Sequence, residues 1–157
     1  MADYGQFCII KHLLFMTLEE KGPISPPPPF ALPIQTVSDA LQTWGGLTAA
    51  AHWDLYDTAL VDGADFYVGQ EELGHIHLNG DVHLATINEL RKPLVEAGLA
   101  QRFPFGGEYE GWVLYHIQSA ETARHAIWLF HLNYLRLTGT PLADIINLIS
   151  NHKHEIR

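Results

Sequence analysis

Residues 72–84 read ELGHIHLNGDVHL, three histidines alternating with aliphatic residues on either side of an Asn-Gly pair. Only a strand puts residues two apart on one face, so His75 and His77 share a face. Asn-Gly between two alternating runs marks a hairpin. The place of His83 then depends on the turn. With a two-residue loop at Asn79-Gly80, Leu78 pairs with Asp81 and His83 falls opposite Ile76 on the far face. With a three-residue loop, in which Gly80 takes the left-handed position of a G1 bulge, His77 pairs with Asp81 and His75 with His83. The second register sorts His75, His77, Asp81 and His83 onto one face and Ile76, Leu78, Val82 and Leu84 onto the other. The first register mixes the two kinds, so binary patterning favours the bulged turn.

A face of imidazoles and a carboxylate supports two chemistries, while the plain alternative is a solvated sheet face. Neutral imidazoles bind transition metals, with Asp81 or Glu72 as an oxygen ligand. Histidines near their ordinary pKa move protons and hydrogen-bond an oxyanion without metal. His52, on the strand-like AAAHW, extends the face if its strand lies close to the hairpin. His116 is expected to be buried beside Trp112 and Leu114, with Trp112 packing helices on the sheet. His125 and His131 fall off an apolar helical stripe and are expected in solvent, Trp53 and Tyr56 at a pocket mouth. The terminal NHKHEIR carries a His-x-His at a fraying end, where such a pair is more often accidental than a metal site.

The rest of the chain supplies the frame. Ile34, Val37, Leu41 and Trp44 recur at helical spacing before Gly45-Gly46. Strands are expected at 47–53, 64–69, 72–78, 81–85 and 111–117. A helix over 86–98 is expected to open on a capping box of Thr86 and Glu89, with Pro93 as a local conflict. Ser119 caps a long helix with a stripe of Ala123, Ala126, Ile127, Phe130, Tyr134 and Leu137, and a last short helix follows Thr140-Pro141. This order is α+β: a curved antiparallel β-sheet with helices packed on one face. Residues 22–33, GPISPPPPFALP, form a Pro-rich connector between an N-terminal helix or arm (1–21) and a single domain (34–157).

Composition excludes several classes. At 157 residues with 47% hydrophobic content the chain supports one core. A net charge of -9 without a basic run argues against nucleic acid. Cys8 is the only cysteine, which excludes an intrachain disulfide and fits a reducing compartment such as the cytoplasm. The apolar run FCIIKHLLFM (7–16) is ten residues long and includes Lys11 and His12, too short to span a bilayer. Behind its proline connector it suggests an exchanged or docked arm, and hence a homodimer.

The segments EELGHIHLNGDVHLA, LVEAGLAQRFPFGG, EGWVLYHIQSAE and LNYLRL together resemble the luciferase-domain family, which includes the fungal luciferases and small bacterial proteins, over residues 48–137. The element order also resembles that of YjbR/MmcQ-like proteins; some of those are described as DNA binders, which the charge here does not support. The luciferase resemblance implies a cofactor-independent oxygenase acting with O2 as co-substrate on a 3-hydroxy-α-pyrone such as 3-hydroxyhispidin, or on a related hydroxylated aromatic. It implies that His75, His77 and His83 act as base and as hydrogen-bond donors to enolate or peroxide, with Asp81, Phe103, Trp112 and His52 around the substrate and Glu72 anchoring nearby backbone. Two positions depart from the family: Phe103 stands where a histidine is common, and Glu71 where a basic residue is usual. A non-catalytic ligand-binding protein on the same fold and a metal-dependent enzyme using the histidine face are the alternatives.

Overall fold

The structure, a computed structural model, describes residues 16–155. The expected N-terminal apolar run therefore lies almost wholly outside the described residues, as does the end of the C-terminal histidine segment. The described helices are α1 (Leu18–Lys21), α2 (Leu32–Leu41), α3 (Asn88–Glu96), α4 (Ala120–Leu137) and α5 (Leu142–Glu155). The strands are β1 (Leu47–Trp53), β2 (Val61–Val68), β3 (Glu71–His77), β4 (Asp81–Leu84), β5 (Gln101–Arg102) and β6 (Val113–His116). They form one curved antiparallel sheet in the order β1-β2-β3-β4-β6-β5. The class is α+β, as the element order implies. Among the described residues no helix is long and apolar enough to cross a membrane.

The hairpin takes the bulged register. His75 pairs with His83 and Ile76 with Val82, and the Gly80 amide donates to the His77 carbonyl at 3.0 Å. Gly80 has φ +95, and a Cβ there would collide with the Ile117 carbonyl oxygen, so the turn requires glycine. Ile76, Val82 and Leu84 are fully buried, while Leu78, at the tip, stays half exposed.

The buried face of the sheet lies against α4, whose stripe runs through Ala123, Ala126, Phe130 and Asn133. Ser119 caps this helix by accepting from the Thr122 amide at 3.2 Å. Asn133 is the polar exception on the stripe. Its Nδ2 donates to the carbonyls of Leu73 at 2.9 Å and Ala85 at 3.1 Å, tying the middle of β3 to the end of β4.

The expected cap on α3 does not form. The helix begins at Asn88 with Ile87 as its extended cap residue, so Glu89 falls one place short of capping-box spacing, and the Thr86 hydroxyl is buried without a hydrogen bond among the described residues. Pro93 sits inside α3, which still closes at Gly98 (φ +70) through bonds from Gly98 to Val95 and from Leu99 to Leu94. The two-residue β5 was not expected. It is too short for period-2 alternation to register.

Candidate functional site

The face of the sheet opposite α4 carries the imidazoles. Strand alternation places His75 and His77 of β3 beside His83 of β4, and the pairing of His52 with Gly63, and of Gly63 with His77, carries β1 into the group. The rings of His52 and His75 stack at 4.2 Å, and those of His52 and His77 meet edge-on at 5.2 Å. His75 Nε2 lies 2.9 Å and His77 Nε2 lies 3.4 Å from His83 Nδ1. Gly63 sits between His52 and His77 in the ladder, and a Cβ there would collide with the Ile76 carbonyl oxygen.

Three of the four imidazoles have Nδ1 against a carboxylate: His52 on Asp65 at 2.8 Å, His75 on Glu72 at 2.8 Å and His77 on Asp62 at 2.7 Å. Asp65 faces its partner by simple register, since it pairs with both Ala50 and His75. The other two arrive through ladder irregularities. His52 pairs with Gly63 and Trp53 with Val61, which leaves Asp62 as an extra residue. Phe66 pairs with Gly74 and Tyr67 with Glu72, which leaves Leu73 as an extra residue and brings Glu72 onto the imidazole face. Bulges re-aim side chains in this way. The expectation that Glu72 anchors backbone is thus corrected: it is a hydrogen-bond acceptor for His75.

A carboxylate on Nδ1 fixes that nitrogen as the donor in the neutral ring and leaves the lone pair on Nε2. His83 Nδ1 then donates to the Nε2 of His75, and its own Nε2 keeps a lone pair. Burial, then repulsion from the His52 imidazole, pushes His75 well below the ordinary 6.5. Burial, with His77 next in weight, pushes His83 down to about 4.

Lys21, at the end of α1, reaches onto the same face and bonds Asp65 and Glu72 at 3.0 Å each, with its ammonium 5.1 Å from the centre of the Tyr67 ring. Burial opposes its charge, and the carboxylates of Glu72 and Asp65 outweigh it, so its pKa is raised. Asp65 is completely buried, and its second oxygen, Oδ2, has no hydrogen-bond partner among the described residues.

Aromatic side chains close the β6 side. Phe103 meets the His83 ring at 5.0 Å, and Trp112 meets His75 at 5.9 Å and Tyr109 at 5.2 Å. Trp112 therefore lies on the imidazole face and does not pack helices on the sheet. It shares the parity of Leu114, which pairs with His83. His116 is not buried. It is half exposed and bonds Asp81, its partner in the β4–β6 ladder, at 2.7 Å. Asp81 also accepts from the Asn79 amide group at 2.9 Å. An open groove of about 610 Å³ runs beside this pair, lined by Asp81, His83, Gln101, Leu114 and His116. Trp53 donates to the Pro23 carbonyl, and Tyr56 stands free in solvent, so neither lines this groove.

Residues 70–133 match the family model of the Luciferase domain. The match spans 64 of the 157 residues. It runs from the start of β3 into α4, and so contains His75, His77, His83, Phe103 and Trp112 of the imidazole face, whereas His52, Asp62, Asp65 and Lys21 are supplied from outside it. No curated protein and no solved structure matches the chain.

The sequence pattern missed Lys21, Asp62, Asp65 and Tyr109. For Asp65 a signal existed: in ADFYVG it alternates with Ala64 and Phe66 and shares parity with Tyr67. For Asp62 and Glu72 the period-2 rule itself misleads, since each lies beside a bulge.

Proposed function

We propose that this luciferase-domain protein is an oxygenase acting with O2 on a small hydroxylated aromatic or a 3-hydroxy-α-pyrone, bound in the groove beside β6. The position of His83 carries this reading: it lines the groove and is also in contact with both His75 and His77. A substrate in the groove meets the imidazole cluster at that ring.

Glu72 holds His75 as the Nδ1–H tautomer, His75 Nε2 accepts from His83 Nδ1–H, and the lone pair of His83 Nε2 is left for an acidic hydroxyl of the substrate. Its depressed pKa keeps this nitrogen unprotonated at neutral pH. Loss of the hydroxyl proton makes an electron-rich enolate, whose carbon forms a bond to O2 while O2 is reduced to the peroxide. Phe103, Tyr109 and Trp112 pack around the imidazole cluster behind the groove and shield it from water. Asp81 and His116 act at the outer rim, where their mutual hydrogen bond presents polar groups to the substrate's far end.

Oxygen uptake with a 3-hydroxy-α-pyrone tests this. The wild-type chain is expected to consume O2 in proportion to substrate, and His83→Ala to lower the rate at least ~100-fold, in the range of a lost general base. His131→Ala, on the exposed side of α4, serves as control and leaves the rate unchanged. Undiminished uptake in His83→Ala would remove the basis for the assignment.

A further inference from the structure

We infer that Nε2 of His52, His75 and His77 form a binding site for one divalent transition-metal ion. These three residues offer ligand atoms that all lie within 4.8 Å of one another. Ligands about 2.1 Å from a tetrahedral ion are about 3.4 Å apart, so closing the set takes shifts of roughly 1 Å together with rotation of the His52 ring out of its near-parallel stack on His75. Imidazole nitrogens suit zinc, copper, iron, cobalt and nickel and discriminate against magnesium and calcium.

Two further observations separate this cluster from a packed group of histidines. Each of the three rings has a carboxylate on Nδ1: Asp65, Glu72 and Asp62. That is the outer arrangement that orients metal-bound histidine and raises its basicity. Charge is the second. Among the described residues, the three carboxylates are offset by one ammonium, Lys21, which bonds Asp65 and Glu72 but not Asp62; that leaves two negative charges for a dication to balance, and Asp65 Oδ2 is buried with no partner among those residues.

A competing set of Asp65, Glu72 and His75 also has the required spacing. The Lys21 ammonium already bonds both of its carboxylates at 3.0 Å, so that position is taken. At the proposed site the ion takes the lone pair of His75 Nε2 that now accepts from His83, and it releases His83 Nδ1–H without altering the groove-facing Nε2. Bound there, it supplies a Lewis acid next to the groove. The inference rests on the face being the active site proposed above, and adds a resident ion to it.

The test is titration of chelator-treated full-length protein with Co²⁺, followed by visible absorption and calorimetry. One ion per chain is expected. The double variant His52→Ala/His77→Ala should weaken binding at least ~100-fold, and Asp62→Asn, at a partly exposed position that spares the fold, about 10-fold. His131→Ala should bind like the wild type. Absence of saturable one-to-one binding, or unchanged affinity in the double variant with an intact far-ultraviolet spectrum, overturns the site. Oxygen uptake in protein that binds no ion would leave the oxygenase standing and remove the metal. One bound ion with no uptake on any pyrone would do the reverse.

Discussion

Two histidine groups lie on opposite sides of the sheet, and the difference between them lies in what holds each ring. On the open face, His52, His75 and His77 each have Nδ1 on a carboxylate, and His83 joins the cluster through His75. On the helical side, His125 is half-buried among aromatic rings, 4.7 Å from Tyr115 and 5.4 Å from Trp128, while His152 stacks on Trp128 at 4.0 Å. His125 bonds a backbone carbonyl, that of Leu99, through Nε2 at 2.7 Å. It is therefore not the solvated residue expected from its place off the apolar stripe. The first group spends carboxylates to orient nitrogen lone pairs toward one another; the second uses imidazole as a flat packing surface. Carboxylate partnering, more than the number of histidines, separates a candidate site from a core.

Substitutions should break this contrast in a set order. His75→Ala removes the ring that touches His52, Glu72 and His83 at once, and should lower pyrone-dependent O2 uptake at least ~100-fold, while His125→Ala leaves uptake unchanged and costs stability through lost packing and the lost bond to Leu99. Lys21→Met leaves Asp65 and Glu72, both buried, without their shared cation. Loss of about 3 kcal/mol in denaturant unfolding is expected, the scale of a buried pair broken on one side. Asn133→Ala removes one of the two donors to the Leu73 carbonyl, leaving the Ala85 amide, at the bulge that turns Glu72 toward His75. It should cost about 2 kcal/mol and also weaken activity, an effect that a substitution elsewhere on the α4 stripe would not share.

The smallest effect is in the second group. Burial holds His125 below its ordinary 6.5, so below that pH the unfolded chain takes up the proton first. Its contribution to stability is full above pH 6.5 and is lost as pH falls through the folded value. His125→Phe should flatten the acid limb of a stability-against-pH curve, and an unchanged limb would place the acid sensitivity elsewhere.

The hairpin and its register were legible because two independent signals agreed: period-2 alternation sorted the faces, and Asn-Gly fixed the turn. The carboxylates were hidden for a physical reason. Glu72 and Asp62 have the wrong parity for the imidazole face, and each reaches it only through one extra residue in the ladder, Leu73 in one case and Asp62 itself in the other. Trp112 shows the reverse: its parity with Leu114 is readable within the expected strand 111–117, yet its bulk and apolar character point to packing between helices and sheet. Lys21 lies 44 residues from Asp65 and on the far side of the proline connector, beyond the reach of any local pattern.

The claim that carboxylates orient these rings can be measured without substrate or metal, by long-range ¹⁵N–¹H correlation spectra of the imidazoles in chelator-treated protein. His75 and His77 are expected as Nδ1–H tautomers and His125 as the Nε2–H tautomer dictated by its bond to Leu99. Nε2–H tautomers at His75 and His77 would contradict the convergent arrangement of lone pairs on which both the base and the metal site depend.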